Sequence, residues 1–442
     1  MSKGSSRRWT ILAILTLLAI IPYWRSLGLP FISDDYVQIW LGRQFGPVSG
    51  WNSLAADPLY RCRATSLVLT YWTERVFGLN PLAFAWSSLA LHILNTWLVL
   101  ALGIWRAIGW RIAAVAAAFF AVMEAHQEAV IWYAALPELL VFTFTVGAFL
   151  MWVRWLQEGR RLDGAATILL FAGALLSKES AVVLVPVMLL PVWTGRVPVR
   201  RWIGPWCAAA LMAVAYTALA FASKTNHLHF NDGTFSPSAP FWITVARSLF
   251  RLYWIWGTLA AITLAACGKI RVAASVALLG LVWAAVTLLP YSFLTYMPFV
   301  PSRHIYLPSV GLALLIGAAF VAVAESLRHP VRVLTAAALV VLCANTAYLW
   351  TRKHGQFAER AEPTERLVAF ARNMDGPVYI HCYPYALDTA DYAVRLLAGK
   401  RAVPLPGPLT DPAPSGVFCY PRHQFKVSDT AADVRQHKGG LN

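Results

Sequence analysis

The sequence predicts an all-α polytopic membrane protein of about 11 transmembrane helices, closed by a small α/β region at its C-terminal end. Three observations carry that expectation. Of 442 residues, 58% are hydrophobic and 13% are charged, against about 25% charged in soluble domains. Apolar runs of about 15–23 residues, long enough to cross a bilayer, recur as far as position 350. Polar residues gather in one long loop, 28–83, in short corners and in the tail 351–442.

Met1 to Arg8 is short and basic, and the apolar run from Trp9 to Leu29 has no small-residue cleavage pattern at its end, so it reads as an uncleaved signal anchor. The further spans fall at 84–104, 111–124, 138–156, 164–177, 180–194, 203–222, 242–265, 272–290, 306–325 and 331–350. With the N-terminus cytoplasmic, the inner loops hold 15 of the 37 Lys and Arg residues while the short outer loops are nearly bare, as the positive-inside rule requires. Eleven spans then put the tail outside. Short inner loops favour a bacterial inner membrane as the location.

In the first outer loop, 28–83, short amphipathic runs suit the bilayer interface. The loop Ser223 to Pro240 is rich in Asn, His, Ser and Pro. In the tail, Thr364 to Asn373 and Thr389 to Ala398 have helical patterns, Pro377 to Cys382 reads as a strand, and Pro404 to Pro414 as a Pro-rich linker. The chain therefore divides into a membrane part, 1–350, and a small extracytoplasmic region, 351–442. Cys382 and Cys419 both lie in the latter, where a disulfide can form.

Net charge is +16, yet no uninterrupted basic run or nucleic-acid motif accompanies it, which argues against nucleic acid as a partner. The six cysteines include no CxxC pair and give no zinc signature. Chemistry belongs to the outer loops, because the inner ones are short and basic and hold mainly Gly and Arg.

Asp34 and Asp35 open the first outer loop. Adjacent carboxylates offer a general base and a partner that orients it, binds a divalent metal or holds a raised pKa. Ser33-Asp34-Asp35 is also a helix-capping pattern, and both readings stand, since one acid can cap while its neighbour faces a cleft. His126 and Glu128, where the third span ends, suit a metal, an acceptor hydroxyl or each other. Lys178 and Glu179 occupy a hairpin corner that needs neither charge for packing, which makes Lys178 a candidate phosphate ligand. Arg303 suits bidentate phosphate recognition, Arg61 is a further cation of the first loop, and Tyr306 fits an interfacial belt. His92 and Asn95, one turn apart in the second span, fit interior hydrogen bonding.

Two outer acids, cations on the same side and a lipid-embedded scaffold suit sugar transfer from a polyprenyl-phosphate carrier, whose tail needs lipid and whose phosphate needs positive charge. A transporter or flippase of such carriers would show mid-span ionisable groups or paired broken helices. A non-catalytic assembly protein is the remaining rival.

These stretches, taken in order, resemble the GT-C membrane glycosyltransferases, and within them the transmembrane and TPR repeat-containing O-mannosyltransferase-like proteins and their bacterial relatives. The resemblance rests on Asp34-Asp35, on Tyr60-Arg61, and on Phe77-Gly78-Leu79-Asn80-Pro81 leading to His92 and Asn95. It continues through His126-Gln127-Glu128-Ala129-Val130, Leu176-Ser177-Lys178-Glu179-Ser180 and Arg303-His304-Ile305-Tyr306-Leu307-Pro308-Ser309-Val310-Gly311. It implies an inverting transferase that uses a polyprenyl- or dolichyl-phosphate sugar, with Asp34 as general base and Asp35 as its partner. Glu128 would shape the acceptor side, and Lys178 and Arg303 would hold the carrier phosphate. Met123 and Glu124 depart from the His-Pro usual before the second-loop motif, Cys62 replaces a Pro, and TPR repeats are absent. These departures bear on the acceptor, protein hydroxyl or envelope glycan, more than on the transfer chemistry.

Overall fold

The computed structural model describes residues 3–46, 54, 57–223, 234–295, 298–405 and 416–420. The expected Ser223 to Pro240 loop and the Pro404 to Pro414 linker lie largely outside these residues.

Helix α1 (Lys3–Ile20) runs into a 3₁₀ segment, Ile21–Gly28. The long loop then folds as two packed helices, α2 (Asp35–Phe45) and α3 (Ala64–Phe77). They meet where Gly42 leaves room for Thr70, and where the Gln38 amide donates to the hydroxyls of Ser66 and Thr70 at 3.3 and 3.1 Å. Asn80 caps α4 (Pro81–Ala101) by accepting the Leu82 amide, with Pro81 in the first turn, where its missing N–H costs nothing.

The bundle continues with α5 (Gly109–Val122), α6 (Leu136–Glu158), α7 (Arg161–Leu175), α8 (Val199–Ala222), α9 (Phe241–Tyr253), α10 (Trp256–Ala266), α11 (Ile270–Leu288), α12 (Ser309–Ser326) and α13 (Pro330–Tyr348). Its core is aromatic, with Trp152, Trp283, Phe120, Phe142 and Phe149 fully buried. Buried indole N–H groups find carbonyls: Trp152 donates to Met188 at 2.8 Å and Trp283 to Leu307 at 3.0 Å.

By length and composition, seven helical stretches among the described residues can cross a membrane, or nine if each of two bent pairs is one span. The bent pairs are Gly109–Val122 with Glu124–Ile131, at 56°, and Phe241–Tyr253 with Trp256–Ala266, at 63°. The chain is an integral membrane protein. The expected 11 spans exceed nine at two places. Helix α7 has 15 residues, about 22 Å at the usual rise, against a core of about 30 Å. Glu179–Gly195 is a broken series of short helices carrying Pro186 and Pro191, which interrupt the hydrogen-bond ladder. The last span also runs further than expected: α13 passes through a π-helical turn, Leu349–Lys353, into α14 (His354–Arg372), one continuous helical stretch.

Beyond α14 stand β1 (Val378–Cys382), α15 (Leu387–Ala398), β2 (Ala402–Pro404) and β3 (Val417–Cys419). The strands form a parallel sheet in the order β2-β1-β3. Leu367, Ala371, Val378, Ile380, Ala390, Val394 and Phe418 give it a core of its own, and a Cys382–Cys419 disulfide ties β1 to β3. This unit sits on the first loop. Tyr392 of α15 stacks on Trp40 of α2, with centroids 5.2 Å apart and rings 9° from parallel, and Arg395 lies over the same indole.

Candidate active site

The turn between the first 3₁₀ segment and α2 forces the two acids apart. Ser33 takes a φ of +48°, a left-handed conformation that costs a non-glycine residue roughly 1–2 kcal/mol. Asp35 folds inward at 3% exposure. Its Oδ2 accepts the Ile32 amide at 2.8 Å and its Oδ1 accepts the Ala134 amide at 2.7 Å. The Trp132 indole donates to the Ile32 carbonyl at 3.2 Å, so segment 132–134 is fastened along 32–35. Burial pushes the Asp35 carboxyl up to about 7, although the two backbone amides pull it down. Asp34 is exposed. Its side chain makes no cap bond, and its Oδ1 meets only hydroxyls, Ser33 at 3.3 Å and Thr389 of α15 at 3.4 Å. No side chain caps this helix: Asp35 ties the turn to segment 132–134 through the Ile32 and Ala134 amides, and Asp34, at the N-cap position, faces outward.

A second polar cluster is buried where α6 begins. Glu138 pairs with Lys178, binds His304 Nδ1 at 2.6 Å and accepts the Tyr291 hydroxyl at 2.8 Å. Ser180 completes it by bonding Tyr291 at 2.8 Å. Burial, with the Lys178 ammonium beside it, pushes the His304 imidazole down to about 3, so this ring is neutral near pH 7. Glu179 turns away from Lys178 to pair with Arg63 at 3.0 Å. The two corner charges therefore serve different partners.

A third cluster lies next to the Asp34 turn. Glu128 accepts the Arg303 backbone amide at 3.2 Å and forms an ion pair with its guanidinium at 3.7 Å. The Arg303 guanidinium lies 5.2 Å from the centroid of the Trp132 ring, and that of Arg360, from α14, lies 4.6 Å from it.

The remaining expected residues are interior. His126 is fully buried, bonded to Ser309 at 2.8 Å and packed on Phe120 and Tyr306; it does not bond Glu128. His92 bonds the Tyr306 hydroxyl at 2.7 Å and the Ala121 carbonyl at 3.1 Å, while Asn95 bridges Leu139 and Tyr306. Tyr306 is thus a buried hub rather than a belt residue. Arg61 is buried and donates to the Leu54 carbonyl and the Ser223 hydroxyl. Among the described residues, no three His, Cys, Asp or Glu side chains converge as a metal set.

A cavity of about 570 Å³ opens beside α2, with Phe31 and Tyr36 on one wall and Glu362, Glu365, Arg366 and Arg372 of α14 on the other. Phe31 and Tyr36 flank the acidic pair in sequence.

Residues that the sequence did not single out include Glu138, Trp132, Thr389 and Arg360. An acid at the start of an apolar run was a usable signal for Glu138. Thr389 and Arg360 meet partners more than 200 residues away, and no local pattern marks them.

No family profile and no curated protein sequence matches the chain. Its fold does match solved structures. The Archaeoglobus fulgidus oligosaccharyltransferase, solved tethered to an acceptor peptide, aligns over 90% of this chain with a TM-score of 0.52 and 12% identity. The likeness is one of fold. The same archaeal protein, AglB, aligns at TM-score 0.52 and 10% identity in its complex with an inhibitory peptide and dolichol-phosphate. ArnT from Cupriavidus metallidurans, bound to undecaprenyl phosphate, aligns over 90% of this chain and 85% of its own, at TM-score 0.50 and 12% identity. The chain spans only 64% of the length of the archaeal oligosaccharyltransferase. One structure of that enzyme is a complex with Zn and sulfate.

Proposed function

We propose that the protein is a membrane glycosyltransferase that moves a sugar from a polyprenyl-phosphate-linked donor to an extracytoplasmic hydroxyl acceptor, with inversion at the anomeric carbon. The observation that carries this reading is the division of labour at residues 34 and 35. Asp35 spends both carboxylate oxygens on backbone amides and so fixes the turn. Asp34, among the described residues, is held by two hydroxyls, which supports a role as the proton acceptor.

In the proposed step, the acceptor hydroxyl oxygen bonds the anomeric carbon from the face opposite the phosphate and Asp34 takes its proton. The carbon–oxygen bond to phosphate breaks and the polyprenyl phosphate leaves with the electron pair. A correctly placed base contributes about 10²–10⁴-fold, and cations facing the leaving phosphate stabilise its charge. Arg303 suits the second task, being partly open and paired with Glu128 at 3.7 Å. Lys178 and Arg61 are engaged by protein partners and support the loops around the site. The GT-C fold, and the lipid phosphates in the AglB and ArnT structures, support the donor class. The family of O-mannosyltransferase-like proteins, the outward orientation of the loop and a bacterial inner membrane belong to this same proposal.

The test uses the purified protein in lipid nanodiscs, a panel of polyprenyl-phosphate sugars, and peptide and glycan acceptors. Product is followed by NMR of the anomeric proton. Transfer with inverted configuration and release of polyprenyl phosphate is expected. A retained configuration, or no transfer from any donor, contradicts the proposal.

A further inference from the structure

Arg360 was marked by no motif, and it belongs to the helix that follows the last span. The chain nonetheless brings it to the acidic turn from the opposite end of the sequence. Its guanidinium lies 4.6 Å from the centroid of the Trp132 ring. Trp132 is anchored through its indole N–H to the Ile32 carbonyl, two residues from Asp34. Arg303 stands 5.2 Å from the same centroid. Glu128 feels both guanidiniums, and Asp35 feels Arg360. Two guanidiniums thus converge here on one ion-paired carboxylate, Glu128. Among the described residues Arg360 forms no ion pair, so its charge is not consumed inside the protein. Arg303 and Glu128 are 17% and 20% exposed at their side chains, so the cluster is within reach of a ligand.

From this juxtaposition we infer that Arg360 and Arg303, steadied by Trp132, form the binding site for the phosphate of the lipid carrier, and that the C-terminal region thereby supplies part of the donor site. The inference rests on the proposed transfer reaction and deepens it. The chemistry fits: guanidinium is planar, carries its donors in a fixed fork and stacks on aromatic faces, so a ring beside it limits its rotamers before the anion arrives. Glu128, hydrogen-bonded to the Arg303 backbone and ion-paired with its side chain, aims that residue. A phosphate bound here lies next to the turn bearing Asp34, as a displacement with base and leaving group on one protein surface demands. A purely structural role, α14 stapled to the core by stacking on Trp132, requires the ring contact and not the charge.

The experiment separates these roles by direct binding. Undecaprenyl phosphate affinity is measured in nanodiscs by native mass spectrometry for wild type, Arg360→Gln, Arg360→Lys, Arg303→Gln and Asp34→Asn, with thermal midpoints recorded in parallel. Inorganic phosphate and phosphatidylglycerol are run as competitors, to distinguish the carrier phosphate from a free anion or a bulk lipid headgroup. Arg360→Gln is expected to weaken undecaprenyl phosphate binding on the order of ten-fold or more, the scale of a lost charge-assisted bond, at an unchanged thermal midpoint. Arg360→Lys is expected to recover part of the loss, and Asp34→Asn to bind as wild type does. Wild-type affinity in Arg360→Gln overturns the inference, as does equal competition by phosphatidylglycerol. If Arg360→Gln binds normally while wild type still transfers sugar and Asp34→Asn does not, this inference fails and the proposed function stands. If wild type neither binds the carrier nor transfers sugar, both fail.

Discussion

At the scale of single residues, the acidic pair shows how an adjacent partner is consumed so that its neighbour stays available. The folded Asp35 carboxyl, at about 7, holds its proton more tightly than the unfolded side chain near about 3.9. The native state therefore binds more protons between these values. The stability that this group contributes is fully present below about pH 4 and is lost as pH rises to about 7, by at most roughly 1.4 kcal/mol per pH unit. Denaturation followed between pH 4 and 8 is expected to show this fall in wild type and a flatter profile in Asp35→Asn; parallel profiles would contradict it. Glu138 gives the sharper structural case. Glu138→Gln leaves Lys178 buried without its counter-charge and is expected to cost about 3–5 kcal/mol, with Lys178→Met in the same chain restoring part of it. A thermal midpoint unmoved by Glu138→Gln would refute that pairing. The acids and the Lys-Glu corner were legible in the sequence, but their partners were not. Asp35 is fixed by Ala134, Lys178 by Glu138 and Glu179 by Arg63, all of them contacts that hydrophobic period cannot reveal.

At the scale of elements, apolar period located nearly every helix, because composition alone separates a bilayer-length run from its flanks. Span count was less legible. A run such as 180–194 is apolar enough to cross, and its prolines break it into short turns instead. The run 111–124 could not disclose that it bends by 56° into Glu124–Ile131, where Met123 takes an extended backbone between the two helical segments. Close helix approach was likewise silent. Helices α11 and α12 meet at Gly280 and Gly311, where a Cβ on either would overlap the other's carbonyl oxygen. Gly311→Ala is expected to force the two helices apart and lower stability by about 1–3 kcal/mol, read as a reduced thermal midpoint. An unchanged midpoint would mean that the interface yields freely.

At the scale of the whole molecule, the C-terminal region packs against the acidic turn and the first loop. It places Thr389 on Asp34 and Arg360 on Trp132, and stacks Tyr392 on Trp40. One of its three strands and two helices were readable from local pattern, whereas the other two strands and its docking were not, because charge and stacking partners come from the other end of the chain. The Cys382–Cys419 bridge closes a separation of 37 residues. Replacing both cysteines by serine is expected to cost about 2–4 kcal/mol in this unit, seen as earlier proteolysis of the C-terminal region; unaltered protection would show the bridge to be dispensable. The central claim, that the exposed acid of the turn is the base of a sugar transfer, is tested most directly by one comparison. The initial rate of sugar transfer from a polyprenyl-phosphate donor is measured for wild type and Asp34→Asn in the same nanodiscs, at saturating donor. The account predicts a loss of about 10²–10⁴-fold in Asp34→Asn with the thermal midpoint preserved; equal rates in the two proteins would contradict it.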